Sequence, residues 1–81
     1  MKSELTYKTD VVMLQKIALE QGLKTRSAIA KRCNIDRNTL GKILNGKEQP
    51  SSSVMYKLVE GLHIAPTRAG AIFFTRNLRI A

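Results

Sequence analysis

The sequence predicts an all-α domain of five short helices. Three observations carry that prediction. Apolar residues recur at helical rather than alternating spacing in the successive segments, residues suited to capping stand just before several of them, and Gly or Pro closes or bars extension. Only the stretch "FFTRNLRI" at 73–80 approaches alternation, so the tail at 75–81 receives no assigned element. Residues 1–9 form an N-terminal arm and 10–74 the domain proper.

Each helix can be justified in order. Thr9 or Asp10 can cap the first, which runs to Glu20 or Gln21 before Gly22 stops it, with Leu14, Ile17 and in part Met13 turned inward. Thr25 can cap a second helix from Arg26 to Arg32, with Ile29, Ala30 and Cys33 inward. Asp36 can cap a third from Arg37 to Leu44 or Asn45, placing Leu40, Ile43 and Leu44 in the core, and Gly46 ends it. Pro50 prevents continuation; Ser51 or Ser52 caps a fourth helix with Met55, Leu58, Val59 and Leu62 in helical register. Ala65-Pro66 opens the fifth, since proline suits a first helical position.

Composition bounds the function. At 81 residues, 43% hydrophobic and 5% aromatic, the chain makes one small domain with an aliphatic core. A single cysteine excludes an internal disulfide. No apolar run approaches the roughly 18–20 residues of a membrane span, and "MKSELTYKTD" carries no signal-peptide core, so a cytoplasmic location without membrane association is expected. The net charge is +8, and the excess is confined. From Lys24 to Lys47 lie Lys24, Arg26, Lys31, Arg32, Arg37, Lys42 and Lys47 against Asp36 alone. A polyanion is the expected partner of such a segment.

The third helix is poor by intrinsic propensity, carrying Asn38, Thr39 and Gly41 where Ala, Leu or Glu would serve better. Its apolar positions go to the core. What remains outside is Arg37, Asn38, Thr39, Gly41, Lys42 and Asn45. That set suits base edges in a major groove, where Arg reads guanine, Asn reads adenine and Thr touches a thymine methyl. Gly41 either lets the backbone approach DNA or packs against a neighbouring helix. Asn34, between the second and third helices, tolerates the left-handed conformation a tight turn requires.

The run "RSAIAKRCNIDRNTLGKILNG", followed by "KEQPS", resembles the helix-turn-helix of the lambda repressor and Cro (XRE-type) family. The matching positions are Ala30, Ile35, Asp36, Arg37, Thr39-Leu40 and "NGKEQPS" at 45–51, and the likeness extends over about Leu14 to Ile64. The resemblance implies a five-helix, lambda-repressor-like domain whose third helix enters the major groove of double-stranded DNA, as a homodimer on a pseudo-palindromic operator. In that frame Arg37, Asn38, Thr39 and Lys42 read bases, while Lys24, Thr25, Arg26, Asn45 and Lys47 contact phosphates or set position.

The chain departs from the family pattern at five positions. Asn34 stands where the turn has glycine, and His63 where a helix-ending glycine is common. Arg26 replaces a glutamine, which directs that contact toward phosphate. Ala18 and Leu44 replace an Arg–Glu pair with an apolar contact.

The expected function is sequence-specific transcription regulation of the small phage repressor or Cro type, acting by operator occupancy. The alternative is a protein-binding module, such as an antitoxin or an antirepressor gripping another regulatory protein. No nucleophile–base pair, metal-ligand spacing or Gly-rich phosphate loop supports an enzyme, and no cofactor is expected. RNA binding lacks the aromatic platform it usually needs, with two Tyr and two Phe. Lys31 is expected to be a solvated charge, Cys33 a buried small hydrophobe, and Tyr56 partly core. Ile72, Phe73, Phe74, Leu78 and Ile80 cluster after a four-helix core is already complete. The fifth helix could pack them home or another protein cover them, but two-fold pairing is favoured, so Ile72, Phe73, Phe74 and Leu78 are expected to form a homodimer contact.

Overall fold

A computed structural model describes the backbone of residues 3–80 and the side chains of residues 7–75. The order is β1 (Ser3–Lys8), α1 (Val11–Glu20), α2 (Arg26–Cys33), α3 (Arg37–Leu44), α4 (Ser52–Gly61), α5 (Pro66–Phe73) and β2 (Thr75–Ile80). Five helices make the body of the domain.

Side-chain oxygens start four of those helices, each accepting from a backbone N–H that the first turn would leave unpaired. Asp10 accepts from Met13 N at 3.1 Å, Thr25 from Ala28 N at 3.1 Å, and Ser51 from Val54 N at 3.3 Å. Asp36 accepts twice, from Asn38 N at 3.1 Å and Thr39 N at 3.2 Å. α5 has no side-chain cap; Pro66 at its first position removes one of the donors instead.

The ends of α1 to α4 share one device. Gly22, Asn34, Gly46 and His63 all have positive φ. After each, the next residue's N–H reaches back five positions: Leu23 to Ala18, Ile35 to Ala30, Lys47 to Lys42 and Ile64 to Val59. This is the Schellman closure, which satisfies carbonyls the last turn leaves free. Asn34, at φ 57° and ψ 49°, thereby sets the angle between α2 and α3.

α2 packs on α3 and α4, α1 on α5, and α4 on α5. Between them lies one apolar core, including Leu14, Ile17, Ala18, Ile29, Ala30, Cys33, Leu40, Leu44, Leu58, Leu62, Ile72 and Phe73. Ala18 and Leu44 sit in it together, so the position of the missing ion pair is apolar. Tyr56, expected partly in the core, is instead 67% exposed. Its neighbours Leu58 and Met55 take the inward positions on α4 and leave it on the outer face.

The two ends of the chain pair with each other. β1 and β2 form an antiparallel two-stranded sheet whose register runs from Ser3 opposite Ile80 to Lys8 opposite Thr75. The arm and the tail, which the sequence leaves as separate appendages, therefore meet. Just inside the sheet, Asp10 N donates to Ile72 O at 2.6 Å, and Gln49 donates to the Phe73 carbonyl. The buried Thr9 hydroxyl donates to Gln49 Oε1 at 3.0 Å.

That arrangement corrects the expected dimer contact in part. Ile72 and Phe73 are 2% and 1% exposed within the single chain, because α5 turns them into its own core. They have no surface to offer a partner. Phe74 is 51% exposed and meets the Tyr7 ring edge-on, with centroids 5.8 Å apart. The Leu78 side chain lies outside the described residues; its backbone pairs with that of Leu5.

Candidate nucleic-acid interface

α2 and α3 position the site. Asn34 and Ile35 join them through the tight turn, and Leu40, Ile43 and Leu44 anchor α3 from beneath. With that face buried, the opposite side of α3 is left outward. It carries Arg37, Asn38, Lys42 and Asn45, all exposed. Asp36, the one acid of the segment, is turned back onto the first N–H groups of α3 as its cap.

The outward residues enclose a shallow concavity of about 450 Å³ lined by Arg26, Arg37, Asn38, Gly41, Lys42, Asn45 and Lys47. Four of the seven lining residues are cations and none is an acid. Six of the nine residues expected from the sequence to touch DNA are brought together there. Lys24 and Thr25 fall in an adjoining hollow that Arg26 shares, with Leu19, Leu23 and Ile29 behind them. Thr39 is half-buried and lies outside the lining of the concavity.

Two arginines are oriented by neighbours. Arg37 Nη1 donates to Ser27 Oγ at 3.1 Å, and Arg26 Nη2 donates to Asn45 Oδ1 at 3.4 Å. Ser27 was not among the residues the sequence pointed to. Its signal was its place at the second position of α2, next to Arg26 and on the turn that faces α3. Gly41 is buried beneath the Arg26 side chain, which decides between the two roles open to it from the sequence. It packs against α2 through that arginine.

A family model described as Helix-turn-helix matches residues 14–68. The chain belongs to the lambda repressor and Cro-like (XRE-type) helix-turn-helix family. The matched span runs from the first core residue of α1 into α5, so it includes both helices of the motif and every residue lining the concavity. Helix-turn-helix proteins of this family are DNA-binding transcription regulators, and this chain is one of them. No curated protein and no solved structure matches the chain.

Among the described residues no group of three or more His, Cys, Asp or Glu could hold a metal ion. None of the described helices is long and apolar enough to cross a membrane. Cys33, buried at the end of α2, has its thiol pKa pushed up chiefly by burial, with the Arg32 charge acting the other way.

Proposed function

We propose that this regulator is sequence-specific and occupies a pseudo-palindromic operator as a homodimer, in the manner of a small phage repressor or Cro-like protein. Each chain lays α3 in the major groove. Arg37 and Asn38 meet base edges near the N-terminal end of α3, and Lys42 follows one turn later. Thr39 stands at the margin of that face. Lys24, Thr25 and Lys47 flank it, where phosphates of the two strands pass, and set the register of the helix.

The observation that carries the reading is the lining of the concavity on α3. Charge alone would suit any polyanion. Here the charge is joined to two exposed amides, Asn38 and Asn45, on a short helix fixed from behind. Amide groups in a fixed frame can distinguish donors from acceptors, which a bare cationic surface does not.

The test is selection of bound duplexes from a random pool. The reading expects an enriched motif of two inverted half-sites, about 34 Å or a whole number of DNA turns apart. Uniform retention of all duplexes would remove sequence specificity. An enriched single half-site would remove the dimer. Failure to retain DNA, with tight binding to a second regulator, would favour the antitoxin or antirepressor reading.

A further inference from the structure

The outward face of α3 has a gap in it. Arg37, Gly41 and Asn45 are spaced four residues apart and so follow one line along the helix. The middle position has no side chain, and a residue of another helix occupies its place. A Cβ built on Gly41 would stand 3.1 Å from Arg26 Nη1, 3.7 Å from Cζ and 3.8 Å from Cδ. The guanidinium and the end of its aliphatic stem therefore lie across the backbone of α3. Farther along the same line, Nη2 reaches Asn45 Oδ1 at 3.4 Å. Gly41 is buried as a result, while its neighbour Lys42 is exposed.

A phosphate-directed arginine needs only charge and reach, and it serves best when free to follow the backbone. Arg26 is placed otherwise. Its plane is supported by α3, and one of its donors is directed by an amide oxygen. Part of its rotamer freedom is thus already lost. Among the described residues one of its five N–H donors is engaged, the one on Asn45. A planar fork held in one orientation matches two acceptors side by side, as guanine O6 and N7 are in the major groove.

We infer that Arg26 is a specificity-determining residue that reads a guanine edge from its seat over Gly41, with Asn45 as its positioning residue. The inference rests on α3 being the groove helix. It moves Arg26 from the phosphate role that the sequence suggested to a reading role. Gly41 is then required because a side chain there would displace the arginine.

Duplex selection with the unmodified chain, Arg26→Ala, Arg26→Lys and Gly41→Ala separates the roles, with circular dichroism and thermal unfolding as the check on folding. Arg26→Ala and Arg26→Lys should both lose preference at the same one or two base pairs of each half-site, by about ten- to a hundredfold in discrimination. Arg26→Lys should keep its affinity for random duplex, since the charge remains. Gly41→Ala should change preference at those same pairs with its melting temperature preserved, because the atom obstructed is the far end of a flexible side chain. A consensus unchanged in Arg26→Ala, or restored in full by Arg26→Lys, overturns the inference and leaves the groove reading of α3 standing. An unmodified chain that selects no consensus overturns both. Should Gly41→Ala not fold, the two Arg26 variants decide alone.

Discussion

Gly61 stands against Cys33 so closely that a Cβ built on it would lie 2.5 Å from the Cys33 sulfur and 2.9 Å from the Cys33 Cα. The end of α4 thus passes directly over the end of α2, which also packs on α3. Gly61→Ala should destabilise the domain by about 1–3 kcal/mol, the usual cost of overpacking a filled site. Adding Cys33→Ala should recover only part of that loss, since the contact with the Cα remains. Denaturant unfolding of the single and double variants measures both. An unchanged Gly61→Ala midpoint would mean that the two helices can part without cost.

The same burial gives Cys33 a pH signature. Its pKa is raised in the fold, chiefly by loss of hydration, so the native state favours the neutral thiol. In the unfolded chain the thiol ionises near its ordinary value of 9.0. The stability due to the neutral thiol is complete below that value and is lost as pH rises from it through the raised native pKa. Stability should therefore fall more steeply above pH 9.0 in the unmodified chain than in Cys33→Ala. Equal slopes would show that the thiol does not titrate differently in the two states.

Two non-glycine residues hold left-handed conformations, Asn34 at φ 57° and His63 at φ 52°. Asparagine tolerates that region and histidine less so, while glycine enters it without steric penalty but with more entropy to lose. His63→Gly should stabilise the domain by roughly 0.5–1 kcal/mol, and Asn34→Gly by a smaller amount. Thermal unfolding tests the order. A destabilised His63→Gly would mean that the exposed imidazole contributes to the fold in another way.

These positions also mark what was legible beforehand. Thr25, Asp36 and Pro66 announced their helices because capping is local chemistry, complete within a few residues. Asn34 announced its turn for the same reason. The pairing of β1 with β2 was not legible, since its partners are some seventy residues apart and no turn residue connects them. Nor could spacing alone say which of Ile72, Phe73 and Phe74 the core would take. That depended on α5 docking over α1 and α4. On the interface, the sequence placed Arg37, Asn38, Lys42 and Asn45 outward on α3, but Gly41, expected outside with them, is buried and Thr39 half-buried. The seat of Arg26 over Gly41 and the tie between Arg37 and Ser27 depend on how α2 lies beside α3.

Readout and positioning should separate in the DNA energetics. Arg37→Ala or Asn38→Ala should lose discrimination at one or two base pairs, about 1–3 kcal/mol for each bidentate contact removed. Ser27→Ala should reproduce a fraction of the Arg37 effect, because it removes the hydroxyl that orients the guanidinium. Lys47→Ala should weaken specific and random duplexes alike. For a dimer neutralising about 6–10 phosphates, log K should fall against log salt with a slope of about −5 to −9. A slope near zero would mean that the basic segment does not meet a phosphate backbone.

The end of the chain supplies the last test. A homodimer needs a contact, and burial of Ile72 and Phe73 removes two of the residues first expected to provide it. Phe73→Ala should cost about 3–5 kcal/mol of monomer stability, as for other buried aromatics, and truncation after Gly70 should unfold the domain by removing both residues. Neither variant can report on dimerisation. Phe74 can, because it is 51% exposed and its described aromatic contact is the edge of Tyr7. Phe74→Ser should keep the helices, losing about 0.5–1.5 kcal/mol with the ring pair. If the face formed by Phe74 and Tyr7 joins two chains, Phe74→Ser should sediment as a monomer at concentrations where the unmodified chain pairs, and its DNA binding should become steeper in protein concentration. A variant that still paired as tightly would move the contact elsewhere, and the free edges of the β1–β2 sheet would be the next surface to alter.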